Sequence, residues 1–160
     1  MSKWWVVFAV MLLGAVPVHA VDPADAAQPM PEAPDKLATA RGHIKAARWS
    51  AAITELKRLD DRASADWNNL MGYAHRKLSP PDLAAAESYY DAAIKLAPAH
   101  RGALEYSGEL YLMKGDLVRA EQRLAQLQRA CAGPCEEQAD LRREIDRFKA
   151  NGNRYVAQAR

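Results

Sequence analysis

The sequence predicts an all-α protein, an α-solenoid of three helix hairpins closed by a C-terminal capping helix. Two observations predict it. First, Trp49, Ala52, Leu56 and Leu59 recur as Leu83, Ala86, Tyr90 and Ala93, and again as Leu117, Ala120, Leu124 and Leu127. Each series is spaced i, i+3, i+7, i+10, which is one face of a helix, and the copies stand 34 residues apart at all four positions. Second, small residues stand where two antiparallel helices must come close. Ala52, Ala86 and Ala120 fill that role on the second helices, and Ala40, Gly72 and Gly108 on the first. Leu56, Tyr90 and Leu124 are then expected to pack against the next repeat. One hairpin cannot bury its apolar face alone, so about three repeats and a cap is near the minimum.

The period and the residues that carry it resemble the tetratricopeptide repeat (TPR). The middle copy, ADWNNLMGYAHRKLSPPDLAAAESYYDAAIKLAP, has Gly72 in its first helix, Ala86, Tyr90 and Ala93 in its second, and Pro98 at its close. The third, LEYSGELYLMKGDLVRAEQRLAQL, reads Gly-x2-Tyr at Gly108 and Tyr111 and then Gly115-Asp116. The resemblance implies a right-handed solenoid with repeats at about 36–63, 64–98 and 99–131. Ser107 departs from the pattern, where many such helices place Leu, and His75 stands where the third repeat has Tyr111.

Composition agrees with a single packed helical domain. The chain has 160 residues, 49% hydrophobic with only 8 Gly, and that length favours one domain. Twenty-two Lys and Arg against 20 Asp and Glu leave +2, too balanced for a nucleic-acid or polybasic membrane binder.

Taken in order, residues 1–20 read as an export signal. Lys3 precedes an uncharged apolar run from Trp4 to Val18, and Val18-His19-Ala20 offers small residues for cleavage. The run is shorter than the roughly 20 residues of a spanning helix, and Pro17 breaks its end. No stable membrane insertion is expected after cleavage. The mature chain is expected to start at Val21, periplasmic in a Gram-negative source and otherwise secreted. Residues 21–35, with Pro23, Pro29, Pro31 and Pro34, read as a disordered Pro/Ala-rich linker. The first repeat is the most degenerate, with Ala40 in place of Gly and no closing Pro. In the second, Leu78-Ser79-Pro80-Pro81-Asp82 is two residues longer than the third repeat's Lys114-Gly115-Asp116. This is why Gly72 and Gly108 lie 36 apart while the second helices keep 34. After Cys131, Pro134 opens a cap helix over 134–150. Gln138, Leu141, Ile145 and Phe148 form its inward stripe, and Arg142, Arg143, Asp146 and Lys149 its outward one. Asn151-Gly152 stops it, and 151–160 reads as a flexible tail.

Cys131 and Cys135 have the one chemically suggestive spacing. In an oxidising compartment they are expected to form a disulfide between the last repeat and its cap. The alternative is a thiol-redox or copper-handling pair, because Cys-x3-Cys resembles a motif of some periplasmic copper-delivery proteins. No zinc-protease, nucleophile-elbow, phosphate-loop or haem-attachment motif is present. The sequence therefore predicts a non-enzyme, with no cofactor and no metal. What remains is a surface. The TPR resemblance implies a concave groove along the first helices that receives a protein or peptide. By register it would carry Arg41, Lys45, Asn69, Tyr73, Arg76, Glu105, Glu109 and Leu112, basic at one end and acidic at the other. Asn69, read as an exposed position, would bond a peptide backbone, and Arg76 would attract an acidic group.

Overall fold

The computed structural model describes residues 34–157. The expected export signal, all but the end of the expected linker and the last three residues lie outside the described residues. Among the described residues all regular structure is helical: α1 (Ala38–Lys45), α2 (Trp49–Leu59), α3 (Ala65–Lys77), α4 (Leu83–Leu96), α5 (Arg101–Met113), α6 (Leu117–Ala130) and α7 (Glu136–Ala150). This is the all-α class that the sequence predicts.

Local chemistry sets these limits. Side chains at the N-caps of α3, α4, α5 and α6 accept from the third residue of each helix: Ser64 from Trp67, Asp82 from Ala85, His100 from Ala103 and Asp116 from Arg119. Each satisfies an N–H that the helix itself leaves open. Glu136 and Glu137 occupy the first turn of α7, where the helix dipole favours negative charge. The α5–α6 turn passes through Gly115 at φ 76°, and the α1–α2 turn passes through Ala47 at φ 53°. The degenerate first repeat thus makes the same left-handed turn without glycine.

Each helix packs on its neighbour in sequence, and α1 also meets α3, α3 meets α5, and α5 meets α7. Among the described residues, α2, α4 and α6 make no comparable backbone approach to one another. The odd-numbered helices therefore form the tighter, inner side. Long side chains bridge α4 to α6 on the looser side, through Arg119–Glu87 at 2.9 Å and Arg123–Asp91 at 2.9 Å. Ala40, Ala52, Ala86 and Ala120 have no exposed surface, as expected of residues that let helices come close. Leu56, Trp67 and Met71 centre one apolar cluster, and Tyr90, Leu104, Leu127 and Leu141 another. The Trp67 indole also donates to the Leu56 carbonyl at 2.7 Å, tying α3 to α2.

The glycines need one correction. Gly72 does lie against its own hairpin partner: a Cβ there would come within 2.7 Å of the Tyr90 ring. At Gly108 the nearest side chain is instead that of the cap: a Cβ there would meet Leu141 of α7 at 2.5 Å, so this glycine seats α7. The α7 stripe is otherwise as expected, with Leu141, Ile145 and Phe148 buried and Arg142, Arg143, Asp146 and Lys149 exposed. Cys131, the C-cap of α6, and Cys135, the N-cap of α7, are joined as a disulfide.

Residues 151–157 open the stretch that the sequence reads as a flexible tail. Gly152 and Asn153 both adopt positive φ, and Asn153 N–H donates to the Phe148 carbonyl at 2.9 Å. The chain turns back there, and Tyr155 packs half-buried on the larger apolar cluster.

His75 gives a testable pH dependence. Its ring stacks on Tyr89, with centroids 5.5 Å apart, and its Nδ1 lies 3.4 Å from the Asp82 carboxylate. Burial holds the imidazole pKa below its ordinary value, and Asp82 offsets this only in part. The unfolded chain therefore takes this proton more readily than the folded one. The resulting stability is complete above about pH 6.5 and declines as pH falls through that value. The melting temperature should fall between about pH 7.5 and 5, and fall less steeply in His75→Phe. Parallel curves would assign the dependence to other groups.

Candidate functional site

The inner side of the odd helices is organised around a repeated pair of residues. Tyr73-x-x-Arg76 on α3 faces Tyr106-x-x-Glu109 on α5, so both partners stand 33 residues apart. One helical turn separates the members of each pair, which places each tyrosine beside its charge. Arg76 donates to Glu109 at 2.7 Å and to the Tyr90 hydroxyl at 3.4 Å. Its guanidinium also lies over Tyr73 and Tyr106, 5.3 and 5.6 Å from their centroids. Burial opposes the Arg76 charge, but Tyr90 and Glu109 outweigh it and raise the pKa above the ordinary value. The same burial raises the Tyr90 and Tyr106 phenol pKa values. Arginine suits this place because its planar fork can bond and stack at once.

Above this locked pair runs a ladder of half-buried rings. Trp49 meets Tyr73 edge-on at 5.9 Å, and Tyr73 meets Tyr106 at 4.8 Å. The Lys77 ammonium lies 5.8 Å from the Trp49 ring. Such a strip offers rigid apolar plates with polar edges, the surface type enriched at binding interfaces.

The residues expected to line a groove divide into three groups. Arg41 and Lys45 are exposed. Arg41 pairs with Asp35 at 3.4 Å and with Asp66 at 3.3 Å, and Asp66 also receives His100 Nε2 at 3.0 Å. This chain of polar contacts ties α1, α3 and α5 together near their starts. Tyr73 is half-buried in the ladder. Asn69, Arg76, Glu105, Glu109 and Leu112 are all at least nine-tenths covered, which corrects their expected openness. Arg76 and Glu109 cover each other across α3 and α5, and Leu112 lies in the larger apolar cluster with residues of α4, α6 and α7. Leu112 is core, with no exposed surface. Arg76 and Glu109 spend their charges on each other, so Arg76 is not open to an acidic group on a ligand. Asn69 lies against Gly102, where a Cβ would come 3.2 Å from its Nδ2, and its buried Oδ1 has no partner. Alanine at this covered position is therefore not expected to pass unnoticed by the fold.

The sequence reading missed Trp49 and Tyr106 as surface residues. The repeat spacing accounts for Trp49 only as a helix-face position. Yet it is the first residue of α2, where a side chain reaches the inner edge. Tyr106 was discoverable from the 33-residue echo of Tyr73 and Arg76 in Tyr106 and Glu109. The disulfide leaves neither Cys131 nor Cys135 as a thiol, and the bonded pair links α6 to α7. Among the described residues no three or more His, Cys, Asp or Glu side chains are gathered as metal ligands. Comparison of the sequence with protein-family models and with curated proteins gave no match.

Proposed function

We propose that this chain is an exported, non-enzymatic TPR-type adaptor, a short right-handed solenoid that holds a protein or peptide partner along its inner, odd-helix side. The observation that carries this reading is the ladder Trp49–Tyr73–Tyr106, three partly open rings aligned across α2, α3 and α5 above a buried ion pair. Rings fixed this way lose little side-chain freedom on binding. The 34-residue period with its three covered alanines supports the repeat assignment. A disulfide between α6 and α7 accords with an oxidising compartment outside the cytoplasm.

The test is affinity capture of partners by the mature chain from its native envelope or culture medium. Trp49→Ala combined with Tyr73→Ala should weaken a captured partner by about ten- to a hundredfold, as expected of central aromatic anchors. Arg142→Ala combined with Arg143→Ala, on the exposed face of α7, should leave capture unchanged. Circular dichroism establishes that both variants remain helical. If the α7 variant loses the partner and the ladder variant keeps it, the binding surface is at the cap end.

A further inference from the structure

We propose that Met113 is a reversible oxidation site, where a peroxide converts the thioether to a sulfoxide that the Arg76 guanidinium then holds. The proposal is independent of the adaptor reading.

Met113 is the last residue of α5 and is half-buried. It joins neither of the two apolar clusters among the described residues. Its sulfur lies instead against charge, 4.0 Å from Nη1 of Arg76 on α3. The same Nη1 donates to Glu109 at 2.7 Å, and the guanidinium lies over the Tyr73 and Tyr106 rings. Met71, the other methionine among the described residues, has no exposed surface and belongs to the smaller apolar cluster. One methionine is therefore enclosed in apolar packing, and the other stands at the edge of a buried ion pair.

Oxidation has different consequences in the two settings. The sulfur gives an electron pair to one oxygen of the peroxide, and the O–O bond breaks. The other oxygen leaves as water once protonated, so the sulfur is oxidised and the peroxide reduced. The side chain changes from apolar to polar in that step. Within an apolar cluster the new oxygen is costly, because nothing there replaces its bonds to water. At Met113 a donor already faces the sulfur, which by itself is only a weak acceptor. An oxygen turned towards Nη1 would shorten the 4.0 Å contact to hydrogen-bond length, and bonds from a charged donor are the stronger kind. The unbranched methionine side chain has the rotational freedom for that turn. Oxidation would thus add a link between α5 and α3 beneath Tyr73 and Tyr106, and a sulfoxide reductase would remove it.

The experiment exposes the mature chain to hydrogen peroxide and follows each methionine by peptide mass. Met113 should gain oxygen roughly tenfold faster than Met71, because susceptibility follows exposure. The oxidised chain should unfold in urea at a midpoint equal to or above that of the untreated chain. Sulfoxide reductases should return Met113 to its original mass. Arg76→Leu with Glu109→Leu removes the donor, and there the same oxidation should lower the midpoint. Met113→Gln tests the seat without an oxidant, since its amide oxygen takes the place of the sulfoxide oxygen. Its midpoint should match or exceed that of Met113→Leu. If Met113 reacts no faster than Met71, there is no such site. Equal losses with and without Arg76, or a lower midpoint for Met113→Gln than for Met113→Leu, would overturn the hold by the guanidinium.

Discussion

Arg76→Leu is expected to destabilise the protein by about 3–5 kcal/mol, the usual cost of removing one member of a buried ion pair. The substitution leaves the Glu109 carboxylate in a site with 5% exposure, without the guanidinium that faces it at 2.7 Å. It also removes the group that bonds the Tyr90 hydroxyl and stacks between Tyr73 and Tyr106. Replacing both partners, Arg76→Leu with Glu109→Leu, should cost far less than the sum of the two single changes. Two apolar side chains of similar bulk leave no buried charge to desolvate. Urea unfolding of the four proteins in this cycle measures the coupling. If Arg76→Leu alone cost under about 1 kcal/mol, the pair would be behaving as a hydrated surface bridge, and the locked base under the ladder would not exist.

That pair also shows what was legible in the sequence and what was not. The periodic alanines and the α7 stripe were readable because each reports burial within one helix, where a period of 3.6 residues fixes the face. The groove was less readable because it depends on how α3 meets α5. The repeat glycines Gly72 and Gly108 suggest an offset of 36, whereas the facing residues Arg76 and Glu109 follow an offset of 33. Reading along the glycines set Tyr73 opposite Glu109 and left Arg76 open to a ligand. Reading along Tyr-x-x-Arg and Tyr-x-x-Glu would have paired them. The tail reads as frayed because it follows the Asn151-Gly152 helix stop. Its signal lay in two neighbouring residues suited to left-handed backbone, Gly152 and Asn153, followed by one aromatic side chain.

Leu141→Ala should destabilise the protein by about 2–5 kcal/mol, since a wholly covered leucine leaves a cavity between α5 and α7. Its coupling to Gly108 tests where this glycine faces. In the unaltered chain, Gly108→Ala gains helix propensity of about 1 kcal/mol, but sets its Cβ 2.5 and 2.7 Å from the two Leu141 methyl carbons. Leu141 is fully enclosed, so it cannot swing aside freely, and overpacking should outweigh the gain by typically about 1–3 kcal/mol. In the Leu141→Ala background those methyl groups are gone, and Gly108→Ala should become neutral or stabilising. Gly72→Ala should show no such rescue, because its Cβ would meet the Tyr90 ring of α4. That ring is rigid, fully covered, and held through its hydroxyl by Arg76. Thermal or urea unfolding of the two cycles decides the matter. A Gly108→Ala penalty that persists without the leucine would return this glycine to the α5–α6 interface that the sequence suggested. A change of sign with Leu141 would show that Gly108 is the seat on which α7 docks and closes the stack of helices.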